Sequence, residues 1–178
     1  MKVNVSYAAK VLPAAISALA LTFLGGSGAW AQQSGATVSQ QLVGVWKLVG
    51  DSNTGKDGVK KVGAAWGPNP QGKIIFTSTG HFVSLNNLPN IPKFASGSRM
   101  QGTAEENKSV VQGSLASAGT YTVSADGKVL TQKIEGSSWP GWSGTEQVRN
   151  LTISGDDLRY TLIASFGGTS EVIYKRVK

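Results

Sequence analysis

The chain has 178 residues, no cysteine, and 17 basic against 10 acidic residues, which gives a formal net charge of +7. This length allows one domain to bury a sizeable core, while the lack of cysteine excludes a disulfide framework and any cysteine-ligated zinc site. Apart from Lys60-Lys61 and Lys175-Arg176 the basic residues are scattered singly, so the sequence contains no basic stripe for nucleic acid.

The N-terminal segment has the pattern of a Sec-type signal peptide. Lys2 and Lys10 provide a basic start, residues 11–24 are largely apolar, and Ala29-Trp30-Ala31 offers the small-x-small motif that signal peptidase cleaves. The apolar stretch is shorter than the roughly 20 residues of a spanning helix. We therefore predict cleavage after Ala31, which leaves residues 32–178 as one exported domain in the periplasm or outside the cell.

The predicted mature domain remains basic. With two lysines in the leader, it keeps fifteen basic against ten acidic residues, a net charge of +5. Such an excess predicts weak association with anionic membrane surfaces, or attraction of acidic ligands. A basic surface that is simply solvated is the alternative interpretation.

The mature sequence reads as short strands separated by turns, with one helix. Its 23 glycines and its Asn, Asp and Ser clusters interrupt runs rich in β-branched residues. We predict a helix at residues 103–115, where Thr103 and Glu106 form a capping-box pair. The predicted strands lie at residues 42–50, 59–66, 72–78, 81–85, 119–124, 129–138, 145–153, 158–165 and 170–177. Consecutive antiparallel strands in this number predict an all-β, closed up-and-down β-barrel, with a two-sheet sandwich as the alternative.

The clearest hairpin lies at residues 72–85. We predict Thr79-Gly80 as a two-residue turn, so that Ser78 faces His81 and Phe76 faces Val83. In that register the alternate residues Ile74, Phe76, His81, Val83 and Leu85 all point into the barrel.

Four segments in order carry a family resemblance. They are Leu-Val-Gly-Val-Trp-Lys-Leu at 42–48, Gly-Pro-Asn-Pro-Gln-Gly-Lys at 67–73, Gly-Thr-Tyr-Thr-Val at 119–123, and Trp-Pro-Gly-Trp-Ser-Gly-Thr-Glu-Gln-Val-Arg at 139–149. With Gly44-Val45-Trp46 matching the Gly-x-Trp that opens lipocalin barrels, the mature chain resembles the bacterial and fungal lipocalin-like domain family. The resemblance implies a closed barrel with a central cavity, but no single activity. It also implies a histidine pair where this chain has Gln132 and Lys133, so imidazole chemistry is not expected at that position.

Several polar side chains are candidates for the interior. His81, the only histidine, could be a general base or a haem ligand, or simply a polar residue at the rim. Arg149 shares a strand face with Gln147, and a buried guanidinium needs a partner. That partner could be Trp46, which would close the barrel by a cation–π contact, or a ligand carboxylate. Tyr121 could offer a phenol to the cavity or be ordinary core.

The predicted function is binding or carrying one small lipophilic molecule, with or without an acidic group, and without cofactor or metal. Trp139 and Trp142 flank a turn at a barrel end, where they would favour an apolar ligand or plug the barrel. The alternative function is a cofactor-free isomerase or cyclase, in which the same polar groups transfer protons. The predicted ligand-binding residues are Trp46, Phe76, His81, Val83, Tyr121, Gln132, Trp139, Trp142, Gln147 and Arg149.

Overall fold

The structure is a computed structural model that describes residues 37–164 and 167–178. The predicted signal peptide and its cleavage site lie outside these residues. The strands are β1 (Gly44–Thr54), β2 (Lys60–Val62), β3 (Gln71–Phe76), β4 (His81–Asn87), β5 (Ser114–Val123), β6 (Val129–Ser137), β7 (Glu146–Ser154), β8 (Asp157–Ile163) and β9 (Thr169–Arg176). Two α-helices, α1 (Val38–Leu42) and α2 (Ala104–Gly113), and a 3₁₀ turn (Pro140–Trp142) complete the described elements.

The predicted closed antiparallel barrel is confirmed. Neighbouring strands follow the order β2-β1-β3-β4-β5-β6-β7-β8-β9, and β1 also pairs with β9. Residues 46–54 of β1 pair with β9, while residues 44–47 pair with β3 on the opposite side of the strand. Eight strands therefore close the barrel without an open edge, and β2 is an additional short strand beside the end of β1.

The two ends of the barrel differ. At one end, which we call the closed end, α1 contacts β5 and β7, and its last residue, Leu42, is fully buried. Thr37 caps α1 and Gln40 completes a capping box, which offsets the marginal stability of so short a helix. The opposite end, which we call the open end, carries α2, β2, the 3₁₀ turn and the loop at residues 88–103.

Alternation along the strands sends apolar side chains inward. In β1, Trp46 and Leu48 are completely buried while Lys47 between them is exposed. Burial of each such large apolar side chain contributes about 1.5–3 kcal/mol. The apolar core consists of Leu42, Trp46, Leu48, Ile74, Phe76, Phe82, Tyr121, Leu130, Ile134, Leu151, Leu158, Tyr160, Val172 and Tyr174.

The predicted helix is confirmed, with bounds of Ala104–Gly113. The side chain of Thr103 accepts from the backbone N–H of Glu106, whose carboxylate accepts from the N–H of Thr103. The N–H groups of Ala95 and Thr103 hold the pKa of Glu106 below its ordinary value. None of the helices in the described part of the chain is long and apolar enough to cross a membrane.

The predicted register of the β3–β4 hairpin is wrong by one residue. Phe76 pairs with Phe82, and the turn spans three residues, with Thr77 N–H donating to the carbonyl of His81 at 2.9 Å. Gly80 adopts φ +80°, the left-handed conformation that this longer turn requires. A shift of one residue moves every β4 side chain to the other face. His81, Val83 and Leu85 therefore lie on the outer wall, and Phe82, Ser84 and Asn86 face the interior.

Candidate functional site

A cavity of about 200 Å³ occupies the half of the interior nearest the open end. Its apolar lining consists of Ala65, Trp66, Ile74, Leu115, Trp142, Leu162 and Val172. Its polar lining consists of Asp51, Asn53, Ser84, Asn86, Ser117, Gln132, Arg149, Tyr160, Ser170 and Glu171. An apolar wall with several converging polar groups is the usual composition of a small-molecule site.

Arg149 is the charged group at this cavity whose bonding is least complete. Its side chain is 4% exposed, it forms none of the ion pairs found among the described residues, and its Nε has no hydrogen-bond acceptor on the protein. Nη1 donates to the carbonyl of Gln147 at 3.3 Å, and the guanidinium carbon lies 5.2 Å from the centre of the Tyr160 ring. One hydrogen bond and one ring face offset only part of the cost of burying a cation.

Gln132 stands beside Arg149 on the neighbouring strand. Leu130 pairs with Arg149 and Gln132 pairs with Gln147, so Gln132 and Arg149 are diagonal neighbours on one inward face. The Gln132 side chain is 2% exposed, and its Nε2 also has no acceptor within residues 37–164 and 167–178. Two buried N–H donors without partners therefore face the same cavity.

Two tyrosine hydroxyls and one side-chain amide form a hydrogen-bonded chain that begins at Tyr160, beside Arg149. The hydroxyl oxygens of Tyr160 and Tyr174 are 3.2 Å apart, and Tyr174 donates to Oδ1 of Asn86 at 3.3 Å. Burial raises the pKa of the Tyr174 hydroxyl well above its ordinary value, and the adjacent Tyr160 hydroxyl adds to this effect. Tyr174 therefore stays protonated, and its hydroxyl remains a hydrogen-bond donor inside the barrel.

Asp51 fixes the segment that brings Trp66 to the cavity. Its carboxylate is almost fully buried and accepts from the backbone N–H groups of Ala65 at 2.8 Å and Trp66 at 3.1 Å. On the other side of the opening, the carbonyl of Trp142 accepts from the Thr145 hydroxyl at 2.7 Å. These bonds hold two tryptophans at the cavity, each from a segment at the open end.

The carboxylate of Glu171 forms ion pairs with two basic side chains of the protein. Its carboxylate lies 3.1 Å from Nζ of Lys60 and 3.7 Å from Nη1 of Arg159. The hydrogen bond from Lys60 holds the pKa of Glu171 below its ordinary value, and the charge of Arg159 acts in the same direction. Both carboxylates that line the cavity, Asp51 and Glu171, are thus engaged by groups of the protein itself.

The structure divides the predicted site residues into three groups. Gln132, Trp142 and Arg149 line the cavity. Trp46, Phe76 and Tyr121 are buried in the apolar core, where Tyr121 donates its hydroxyl to the carbonyl of Thr77 at 2.8 Å. Gln147 faces inward and donates to Thr145, while His81, Val83 and Trp139 lie outside the cavity.

The predicted contact between Arg149 and Trp46 is wrong. The residue over Trp46 is Arg176 on β9, whose guanidinium carbon lies 4.1 Å from the indole centre. Arg149 lies on the part of β7 that lines the cavity, and its guanidinium contacts the Tyr160 ring instead. The sequence signal that could have identified this residue is the alternation of Val172, Tyr174 and Arg176 on one face of the last strand.

Sequence reasoning missed several lining residues. Ser84 was missed because the predicted register assigned it to the outer face, and Asn86 was missed because the predicted strand ended at Leu85, one residue before it. Trp66 was missed because it follows a short strand in a turn, and its position depends on a carboxylate that is distant in sequence, Asp51.

Surface hollows also occur in the described part of the chain. One of about 580 Å³ runs between α2 and the Trp139 turn and shares Trp66 and Leu115 with the cavity. Another of about 650 Å³ lies on the outer wall between the exposed side chains of Lys47 and Lys73. The interior cavity is the stronger candidate, although it is smaller, because both buried side-chain N–H groups that lack a partner among the described residues belong to its lining. No cluster of three potential metal ligands occurs in residues 37–164 and 167–178.

Comparison with known proteins gives a family match. The model of a family described as "Lipocalin-like domain" matches residues 43–172. No curated protein sequence matches the chain.

Similar solved structures have low sequence identity. A lipocalin-like protein from Bacteroides uniformis is 14% identical, with 76% of this chain and 98% of that one covered, at a TM-score of 0.42. A redesigned β-barrel is 15% identical and covers 82% and 99%, at a TM-score of 0.43. Another, mFAP1, whose structure has DFHBI bound, is 16% identical and covers 79% and 100%, at a TM-score of 0.40.

Proposed function

This chain belongs to the lipocalin-like domain family, and on that basis we propose that it binds and carries one small, largely apolar molecule inside its barrel. The observation that carries the proposal is the 200 Å³ cavity at the open end, with apolar walls and a few buried polar groups. Sites for drug-sized ligands measure roughly 300–1,000 Å³. The cavity therefore favours a smaller molecule, or one end of a longer molecule whose remainder lies in the groove beside Trp66.

Filling the cavity tests this proposal. The hydroxyls of Ser84 and Ser117 lie 2.9 Å apart on the cavity wall, so Ser117→Phe places a ring in the space that a ligand needs. Val83→Phe is the matched control, because it adds the same ring to the neighbouring strand on the outer wall. We expect an environment-sensitive apolar dye to bind the unmodified protein and Val83→Phe, and to lose affinity at least tenfold for Ser117→Phe. Equal binding by both variants would place the dye outside the cavity and contradict the proposal.

The alternative of a cofactor-free isomerase or cyclase has less support. It relied on His81 and Tyr121 as proton-transfer groups. His81 lies on the outer wall, and the Tyr121 hydroxyl donates to the backbone carbonyl of Thr77. Neither residue belongs to the cavity lining. A carrier requires neither group, so His81→Gln should leave ligand binding unchanged.

We propose that the open end meets anionic membrane surfaces weakly and loads the ligand there. Four apolar residues in its loops and element ends are more than three-quarters exposed: Val62, Met100, Val111 and Ile163. Basic side chains lie in the same segments: Lys61, Lys93, Arg99 and Lys108. Apolar side chains that enter the interface, combined with basic residues near it, suit an anionic bilayer.

Vesicle sedimentation tests this association. We expect binding to vesicles that contain phosphatidylglycerol, weaker binding to phosphatidylcholine vesicles, and loss of binding in 0.5 M salt, since exposed charges are then screened. A Met100→Ser and Val111→Ser double variant should bind less. Equal binding to both vesicle types would contradict the role of charge.

We also propose export of the chain, based on the signal-peptide pattern at its N-terminus. The test is the mass of the protein recovered from the periplasm of a bacterial expression host, which should correspond to a chain that begins at Gln32. Recovery of the uncleaved protein from the cytoplasm would contradict export.

A further inference from the structure

The geometry points to a carboxylate as the group that the cavity recognises: we infer that Arg149 and Gln132 together form a seat for the head group of a small monocarboxylic acid. This inference rests on the proposed function and specifies its ligand class. It starts from the two buried N–H donors that have no acceptor in the described part of the chain, Nε of Arg149 and Nε2 of Gln132. Both belong to side chains at least nine-tenths buried, and both line the same cavity.

The unmatched groups at this site are all donors. Among the described residues, no buried side-chain acceptor lacks a partner. A ligand that bonds to both N–H donors must therefore supply acceptor oxygens. A ligand hydroxyl or amine would form fewer hydrogen bonds with these donors than a carboxylate. A buried N–H without a partner destabilises the folded protein, and this cost is larger where the group is charged. An acceptor that reaches both donors recovers this cost when it binds.

The charge of the site selects an anion. Arg149 is buried without a carboxylate partner, whereas the two carboxylates of the cavity are engaged elsewhere. Asp51 accepts from two backbone N–H groups, and Glu171 pairs with Lys60 and Arg159. A carboxylate would supply the anionic partner that Arg149 lacks among the described residues, and its two oxygens match the planar edge of the guanidinium.

Position within the barrel orients the acid. Arg149 and Gln132 lie on β7 and β6, and the rest of the molecule would lie along Ile74, Leu115 and Leu162 toward the opening beside Trp66. A cavity of 200 Å³ accommodates a medium-chain or small aromatic acid. A longer chain would extend into the surface groove that shares Trp66 and Leu115 with the cavity.

Paired probes of equal length test the seat. Octanoate and 1-octanol carry the same tail, and only octanoate can neutralise Arg149. By calorimetry we expect octanoate to bind at least tenfold more tightly than octanol to the full protein. With carboxyl-labelled octanoate, NMR should show the bound acid ionising at lower pH than the free acid, because the guanidinium stabilises its charged form.

Substitutions assign the effect to the two residues. Arg149→Met should weaken octanoate binding about tenfold or more and leave octanol binding nearly unchanged. Gln132→Leu should reduce the preference for octanoate by a smaller factor, and it keeps the test available if the arginine variant does not fold. Lys133→Met is the matched control, because it removes a cation one residue from Gln132 on the outer face. It should bind both probes as the unmodified protein does.

The outcomes separate the two proposals. If octanol binds as tightly as octanoate and Arg149→Met changes neither, the carboxylate seat is wrong and the carrier function stands. If octanoate loses equal affinity in Lys133→Met and Arg149→Met, long-range attraction explains the preference, and the seat is again wrong. If neither probe nor the apolar dye binds, both the seat and the proposed function are contradicted.

Discussion

The guanidinium of Arg176 stacks over the indole of Trp46, with 4.1 Å between its central carbon and the ring centre. The same side chain donates to the carbonyls of Val43, at 3.0 Å from Nη1, and Gln41. Trp46 in turn donates from Nε1 to the carbonyl of Leu42 at 2.8 Å. Because Arg176 is on the last strand and Trp46 on the first, this contact joins the two ends of the sheet and holds α1 against the closed end.

Arg176→Met should therefore destabilise the protein. The cation–π contact contributes about 0.5–2 kcal/mol, and each hydrogen bond from the charged group about 1.5–3 kcal/mol. These terms overlap, so we expect a loss of about 2–4 kcal/mol in the free energy of unfolding by urea. The matched control is Arg159→Met, since Arg159 is half exposed and its ion pair contributes at most about 1 kcal/mol. Equal losses in the two variants would show that the stacked pair does not close the barrel.

Arg149→Met should have the opposite effect on stability. The guanidinium is buried without an anionic partner, so an apolar side chain of similar length removes a desolvation cost and retains most of the packing. We expect the melting temperature of the ligand-free protein to stay within about 2 °C of the original value or to rise. A decrease as large as that for Arg176→Met would instead identify Arg149 as a structural residue.

The β3–β4 hairpin shows where sequence pattern stops being sufficient. Hydrophobic alternation favours the register that the structure does not adopt, because Val83 and Leu85 are apolar while Ser84 between them is polar. The choice depends on a turn of two or three residues, and Thr-Gly fits both. The positions and order of the strands could be predicted from the sequence pattern. Which side chains of β4 point inward depends on the hydrogen bonds of the turn, which the pattern does not reveal.

The register itself can be tested with two substitutions on adjacent residues. Phe82 is 4% exposed and Val83 is 48% exposed. Phe82→Ala should cost about 3–5 kcal/mol of unfolding free energy, the usual range for deletion of a buried ring. Val83→Ala should cost less than about 1 kcal/mol, measured in the same urea titrations. A larger loss for Val83→Ala would favour the two-residue turn.

The candidate site was less predictable than the fold. Alternation on β7 placed Gln147 and Arg149 on one face, the family resemblance implied that this face looks inward, and Arg149 is buried there. Partners from other strands could not be assigned, because the barrel curvature and closure determine which inward residue meets which. The Trp46 partner illustrates this: two arginines, Arg149 and Arg176, face the interior, and only the β1–β9 pairing decides between them.

Asp51 should control the structure of the opening. Its carboxylate accepts from the N–H groups of Ala65 and Trp66, and Asp51→Ala removes both hydrogen bonds. We expect the free energy of unfolding to fall by about 2–3 kcal/mol, because two N–H donors lose their charged acceptor. Faster hydrogen exchange at the amides of Ala65 and Trp66 is the specific readout. If those amides keep their protection, the turn is held by other contacts, such as the bond from Gly67 N–H to the carbonyl of Gly63.

The pH dependence of the free energy of unfolding should include a contribution from Glu171. Lys60 and Arg159 hold the pKa of Glu171 below its ordinary value of 4.5. A carboxylate with a lowered pKa in the folded state stabilises the protein above its unfolded pKa, and this contribution is lost as the pH falls through the folded value. Glu171→Gln should therefore be less stable than the original protein at pH 7, by up to about 1 kcal/mol for so accessible a pair. The difference should be smaller at pH 3 than at pH 7, and it should also decrease in 0.5 M salt. Urea unfolding at both pH values measures it, and a difference that stays the same at pH 3 would mean that Glu171 acts through packing rather than through its charge.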